Sequence, residues 1–413
     1  MKFNIKTFWK KLGPGLITGS SDDDPSGIAT YSQAGAGFGL ATLWTAFITY
    51  PLMYCIQEMC ARIGIVTGFG LVGVIKKNYH KSFLYLLLLI CFPAVTFNIA
   101  ADIAGMGAIA NLLFPSIPIF VFSSLFVIVI LSALIFFNYR KIAYFLKWLC
   151  ISLFAYIIVP FLVKQDWVEV LLASFIPYIE FNKEFISILV AILGTTISPY
   201  LFFWQSNMSV EDRNHKPDQS DKKEVNDMKT DVNIGMLFSN IVMFFIILTT
   251  GTVLFPAGIT QIETVKEAAL ALKPLAGEYA HLLFALGVIG TGLLAIPILA
   301  GCLGYMFAEA FDWDRGLDKK FGKAKGFYAV ILATMGIALL LNTLGLNPIK
   351  SLIYSAILYG FITPFLIAII LYIANSKHIM GKFANRMIAN ILGIAALLLT
   401  TGAALALILA WFE

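Results

Sequence analysis

Apolar runs of about twenty residues recur along this chain, and they leave few folds open. Between 83 and 113, for example, the only charged side chain is Asp102. A backbone immersed in hydrocarbon has to pair its own N–H and C=O groups, so only helices or closed barrels can cross. Runs this long, without the alternation of barrel strands, predict helices. Charged residues make up 13% of the 413 positions, against about 25% in soluble domains. The chain reads as one all-α integral membrane domain over 1–413, with no soluble domain and no low-complexity tail. Hydropathy predicts about eleven spans, near 13–38, 40–64, 83–113, 117–138, 142–163, 185–208, 232–255, 279–309, 326–343, 348–374 and 388–411.

The basic residues sort by side under that assignment. Loops on one side hold 24 of the 29 Lys and Arg, among them Lys10, Lys11, Arg62, Arg213, Arg315 and Arg386. The other side has Lys164, Lys183, Lys266, Lys273 and Lys350. The positive-inside rule then predicts a multi-pass protein of the cell membrane, with a cytoplasmic N-terminus and Glu413 outside. The net charge of +5 thus sets topology and implies no nucleic-acid partner. The first apolar stretch carries no cleavage pattern and does not read as a secretory signal. Cys55, Cys60, Cys91, Cys150 and Cys302 stand singly in apolar segments, as small core residues rather than a disulfide or metal framework. The polar stretch from Ser209 to Asp231 reads as a solvated connector, and Glu309, Asp312, Asp314 and Arg315 as a solvated helix end. Glu58 and Arg62, one turn apart, are expected to pair as a structural clamp. Gly287 to Gly304 reads as close helix packing.

Asp22-Asp23-Asp24 lies in the middle of the first predicted span, followed by Pro25-Ser26-Gly27. An aspartate at a span's centre costs about 2.5–3.5 kcal/mol, which is tolerated where it faces a cavity, a cation or a proton path. Pro25 cannot donate to the Ser21 carbonyl, and Pro199, after Ser198, cannot donate to that of Thr195. Counting about 1.5 Å per residue from Lys11 and from Glu184 puts both breaks near mid-membrane, on helices of opposite direction. Two such breaks in halves of opposite orientation mark inverted-repeat transporters, whose unwound segments bind ions. The halves are 13–163 and 185–374, with 388–411 as an extra helix. Asp24, nearest the break, is the principal candidate ligand. Asp22 and Asp23 point elsewhere at about 100° per residue, so they are assigned to a vestibule or to supporting contacts.

These residues, in this order, resemble the Nramp family of divalent-metal transporters. Asp24-Pro25-Ser26-Gly27 stands where that family has Asp-Pro-Gly-Asn, after an opening Gly13-Pro14-Gly15. Ala61 to Gly68, Asp102-Ile103-Ala104 and Asn111 to Phe114 match its second and third helices. Gly194 to Tyr200 occupies the place of its Met-Pro-His segment. The resemblance implies a leucine-transporter-like fold of two inverted five-helix repeats with helices 1 and 6 broken. It also implies a metal site at Asp24, Gly27, Thr195 and Ser198. The departures carry information too. Ser198 replaces the family's methionine, leaving an all-oxygen donor set suited to Mg²⁺, Ca²⁺ or Mn²⁺. Gly27 replaces its asparagine, which removes a ligand and leaves room for a partly hydrated ion. Tyr200, Gln205 and Gly105 stand where the family's two histidines and a glutamate are implicated in proton movement. Asp102 remains, either as a residual proton carrier or as a paired interhelical carboxylate. The pattern resembles the family's magnesium-transporter branch.

The expected function is therefore Mg²⁺ (and Mn²⁺) uptake by alternating access without proton coupling, with no enzymatic activity and no resident cofactor. Its partners are the transported ion and the bilayer. Oligomeric state is open, and a monomer is compatible. The alternative within the class is a proton-coupled Mn²⁺/Fe²⁺ transporter. A Mg²⁺-dependent membrane prenyltransferase would need a second Asp-rich cluster with basic neighbours, an aspartyl protease a second catalytic Asp in a Gly-rich helix. An amino-acid carrier's carboxylate would meet repulsion from three aspartates.

Overall fold

A computed structural model describes residues 14–137, 153–214 and 221–412 of the chain. Among the described residues there is no strand. The first broken span is α1 (Pro14–Asp22) and α2 (Pro25–Phe38), followed by α3 (Trp44–Thr67) and α4 (Leu71–Asn78). Next come α5 (Lys81–Leu113), α6 (Ile119–Phe136), α7 (Phe154–Leu162) and α8 (Trp167–Phe175). The second broken span is α9 (Lys183–Thr196) and α10 (Pro199–Asn214), and α11 (Asp221–Val253) follows. The series ends with α12 (Ala280–Phe311), α13 (Lys325–Leu341), α14 (Pro348–Asn375) and α15 (Met387–Ala410). Among the described residues, eight helices are long and apolar enough to cross a membrane, or nine with the bent pair α3 and α4, counting α9 and α10 as one. Part of the expected span 142–163 lies outside the described residues. So do Gly13, Cys150, His215, Glu413 and the basic residues Lys2, Lys6, Lys10, Lys11, Arg140, Lys141, Lys147 and Lys216.

Polarity is distributed for a lipid solvent. Leu398, Leu409 and Phe136 point outward, whereas Asp22, Asp23, Asp24 and Asp102 are buried inside. Helices with little hydrophobic drive between them associate through close backbone approach at small residues. A Cβ on Gly19 would lie 2.1 Å from the Gly235 carbonyl, which locks α1 against α11. A Cβ on Gly194 would lie 2.1 Å from the Ala356 carbonyl, so α9 and α14 touch backbone to backbone. The glycines of α12 work as expected: Gly292 receives Met106, and Gly304 receives the Phe327 ring. Cys55, Cys60, Cys91 and Cys302 are free and buried in the apolar core.

Two polar segments differ from the sequence expectation. The stretch after Ser209 is largely helix, because α10 runs to Asn214 and α11 begins at Asp221. Glu224 and Asp231 within it are buried rather than solvated. Glu309 is also buried, while Asp312 and Asp314 stay exposed. The Glu309 carboxylate accepts from the Gly70 and Gly73 amides at 2.7 and 2.8 Å and pairs with Arg315 at 3.0 Å. It thereby satisfies orphan N–H groups at the start of α4 and holds the 62° bend after α3. Hydropathy had no means of finding α4, which is too short to span.

The Glu58–Arg62 clamp forms as a two-pronged pair, with both contacts at 3.0 Å. Arg62 also donates to Asn385 at 2.7 Å and to the Phe383 carbonyl, and Lys229 lies 3.5 Å from Glu58. The Arg62 guanidinium thus ties α3 to the connector before α15, and the Glu58 carboxylate ties it to Lys229 of α11. Removing one partner of a buried pair costs about 3–5 kcal/mol. Arg62→Ala is expected to lower the melting temperature of the detergent-solubilised protein, with part of the loss recovered by adding Glu58→Gln. Identical melting of wild type and Arg62→Ala would contradict this clamp.

Candidate functional site

Proline alone does not make either break. Pro51, Pro93, Pro297 and Pro364 each sit inside a helix that runs on. At the first break the chain leaves α1 at Asp22, Asp24 turns extended (φ −67°, ψ 173°), and α2 starts at Pro25. Asp24 is the N-cap: its Oδ1 accepts from the Gly27 amide and the Ser26 hydroxyl, both at 2.7 Å. A short acceptor side chain there satisfies amides that the new helix leaves without partners. At the second break Ile197 and Ser198 separate α9 from α10.

The carbonyls freed at the two breaks find hydroxyl donors. Tyr200 donates to the Ser21 carbonyl at 3.0 Å, the oxygen that Pro25 cannot serve. Ser198 donates to the Thr195 carbonyl, the oxygen that Pro199 cannot serve. Thr363 of α14 donates to the Ile197 carbonyl at 3.2 Å. Either side of the break, Thr18 donates to Gln205 at 2.7 Å and Tyr31 meets Thr196 at 3.2 Å. The four half-helices therefore form one crossed unit.

Asp24, Gly27, Thr195 and Ser198 come together at its centre, all buried. An ideal Cβ on Gly27 would lie 3.2 Å from both the Asp22 carbonyl and the Thr195 hydroxyl, and 3.5 Å from Asp24 Oδ1. The room expected beside Gly27 is thus taken up by oxygens. Ser198 Oγ lies 3.2 Å from Asp22 Oδ1, which draws Asp22 toward the site rather than into a vestibule. Asp22 and Asp23 meet through Ser239 of α11, whose hydroxyl lies 2.7 and 3.4 Å from their oxygens. Gln205 is joined to α1 through Thr18. Among the described residues, no three His, Cys, Asp or Glu side chains converge as a metal-holding group. A site here would combine a carboxylate with hydroxyl and carbonyl oxygens.

Sequence reasoning missed Asn98. Its amide nitrogen lies 3.1 Å from Asp24 Oδ2 and 3.3 Å from Asp102 Oδ2, linking the two carboxylates. The signal was present, since Asn98 precedes Asp102 by four residues and shares its helix face. Ser239 was missed for want of any motif. Gly105, at the family's glutamate position, faces Leu352, with a Cβ there 3.0 Å from Leu352 Cδ1. His80, His281 and His378 make no contact with either break. The nearby sulfur of Met243 accepts from Thr196 at 3.6 Å.

The site is closed at both ends. On the α2 side, Gln33 donates to the Thr260 carbonyl at 3.0 Å and accepts from the Ile262 amide at 2.8 Å. On the α1 side, the Gly15 amide donates to Asp231 at 2.6 Å.

Comparison with known proteins places this arrangement. The chain is 27% identical over 401 residues to the divalent metal cation transporter MntH of Caldanaerobacter subterraneus, covering 94% of this chain and 90% of that protein. It is likewise 27% identical over 402 residues to MntH of Clostridium acetobutylicum, covering 94% and 88%. In structure it is similar to the Eremococcus coleocola manganese transporter (TM-score 0.81, 20% identity, 100% of this chain and 90% of that one). MhsT in complex with L-phenylalanine shares the fold more distantly (TM-score 0.63, 14% identity, covering 97% and 98%). The family model described as Nramp, natural resistance-associated macrophage protein-like, matches residues 15–410, and the chain belongs to that family.

Proposed function

We propose that this chain moves a hard divalent cation, Mg²⁺ with Mn²⁺ as a second cargo, across the cell membrane by alternating access and without a coupled proton. The observation that carries this reading is the donor set between the breaks. Asp24 supplies a carboxylate, Thr195 a carbonyl and a hydroxyl, Ser198 a hydroxyl, and the Asp22 carbonyl faces the same point across Gly27. Oxygen-only ligands suit ions that keep their affinity for carboxylate, carbonyl and water. The Met243 sulfur is engaged by Thr196 instead. Support for Mg²⁺ rests on these donors and not on spare volume, since Gly27 leaves little.

The membrane orientation follows the positive-inside pattern, with the N-terminus cytoplasmic, and the two repeats are 13–163 and 185–374. Access alternates as the α2-side contacts of Gln33 and the α1-side contacts of Gly15 and Thr18 break in turn. Inward movement of a divalent ion gains about 2.3 kcal/mol per charge per 100 mV from the membrane potential. Tyr200 and Gln205 are committed to a carbonyl and to a strut, which leaves that route without a group titrating near neutral pH. One observation favours a second reading, proton-coupled Mn²⁺ transport: Asp102 Oδ1 is buried without a partner and linked to Asp24 through Asn98. The structural relative's manganese cargo agrees with it.

In proteoliposomes, Asp24→Ala is expected to abolish Mg²⁺ and Mn²⁺ uptake, and retained flux would remove the reading. A trapped pH dye should stay silent during wild-type uptake; acidification that tracks metal entry selects the proton-coupled alternative. Supporting hydrogen bonds to a ligand are worth about 10–100-fold in metal affinity, so Asn98→Ala should weaken Mn²⁺ binding by that factor. Ser198→Met should shift competition toward Mn²⁺ and Cd²⁺ over Mg²⁺. An unchanged Mg²⁺:Mn²⁺ preference would show that the residue at 198 does not set selectivity.

A further inference from the structure

Four buried carboxylates lie in the centre of this protein as two bridged pairs. Asn98 bridges Asp24 and Asp102, at 3.1 and 3.3 Å. Ser239 bridges Asp22 and Asp23, at 2.7 and 3.4 Å. Among the described residues no Lys, Arg or His forms an ion pair with any of the four. The Asp22–Asp23 pair is short of donors. A serine hydroxyl has one hydrogen, so Ser239 can serve one of its two neighbours at a time. Ser198 Oγ approaches Asp22 Oδ1 at 3.2 Å, but its hydrogen is also claimed by the Thr195 carbonyl. Asp23 Oδ2 is left with no partner at all, on a residue with no solvent exposure. Adjacent carboxylates cannot both stay ionised in a dry site without a counter-charge, and burying one unpaired is costly.

We propose that Asp22, Asp23, Ser198 and Ser239 form a second cation site beside the Asp24 site, for a hard, oxygen-liganded divalent ion. Carboxylate and hydroxyl oxygens without sulfur or imidazole set the class of ion. A divalent charge matches the two carboxylates of this pair, as the cargo's charge matches that of Asp24 and Asp102. Sharing Ser198 couples the two sites, because the hydroxyl that contacts Asp22 also closes the Thr195 carbonyl. The second site rests on the reading of Asp24 as the cargo's ligand, yet it stands or falls separately.

The test is the number of Mn²⁺ ions bound per full-length chain, by equilibrium dialysis of the monodisperse protein in detergent with Mn²⁺ alone. Wild type is expected to bind two. Asp23→Asn, which keeps the shape of the side chain, and the milder Ser239→Ala should each bind one. Asp24→Ala should bind one, and Asp23→Asn with Asp24→Ala none. A wild-type ratio of one, or two ions retained in both Asp23→Asn and Ser239→Ala, overturns the second site. If that single ion disappears in Asp24→Ala, the transport reading survives the loss of this one. A site lost in Asp23→Asn with none lost in Asp24→Ala would keep the second site and remove the Asp24 reading.

Discussion

A helix broken inside hydrocarbon frees backbone oxygens that no water is there to satisfy, and this structure depends on how those oxygens are met. The Ser21 carbonyl takes the Tyr200 hydroxyl, and the Thr195 carbonyl takes the Ser198 hydroxyl. The first break thus depends on a residue of the second, while the second closes its own carbonyl through Ser198. Asp24 completes the arrangement by capping α2 with one carboxylate oxygen while the other turns to Asn98. A carboxylate held by both oxygens in this way is fixed in orientation by the fold.

The same arrangement explains what the departures from the family pattern do. Tyr200, at a position the resemblance associates with a histidine, donates to the Ser21 carbonyl. Ser198, at the methionine position, faces both a carbonyl and Asp22, so an oxygen replaces a thioether without leaving a gap. Gly27 allows the close approach of the Asp22 carbonyl and the Thr195 hydroxyl, which a Cβ there would crowd. At Ser198 and Tyr200 a hydroxyl stands where the resemblance has a thioether and an imidazole, and at Gly27 a side chain is removed.

Much of the fold was legible because the bilayer imposes it. Span length follows from thickness, and Asp-Pro and Ser-Pro at mid-span pointed to both breaks within a residue or two. The aspartates were the decisive part of that signal, since Pro51 and Pro93 sit in helices that continue. What stayed hidden depends on tertiary partners. Glu309 looks like a surface acid until the Gly70 and Gly73 amides are folded against it. Glu224 and Asp231 look solvated because their helices extend beyond the apolar window. Ser239 has no motif, and only the packing of α11 beside α1 brings its hydroxyl between Asp22 and Asp23. Gly27 misled in the other direction, because a missing side chain implied room that neighbouring oxygens fill.

The central claim is that a divalent cation sits where the two breaks meet, and its position can be observed directly. Anomalous scattering from Mn²⁺-soaked crystals locates the ion without reference to transport kinetics. The account predicts a peak within direct coordination distance of the Asp24 carboxylate and the Thr195 carbonyl, lost in Asp24→Ala. A peak bound elsewhere, with neither of these oxygens in contact, would contradict it.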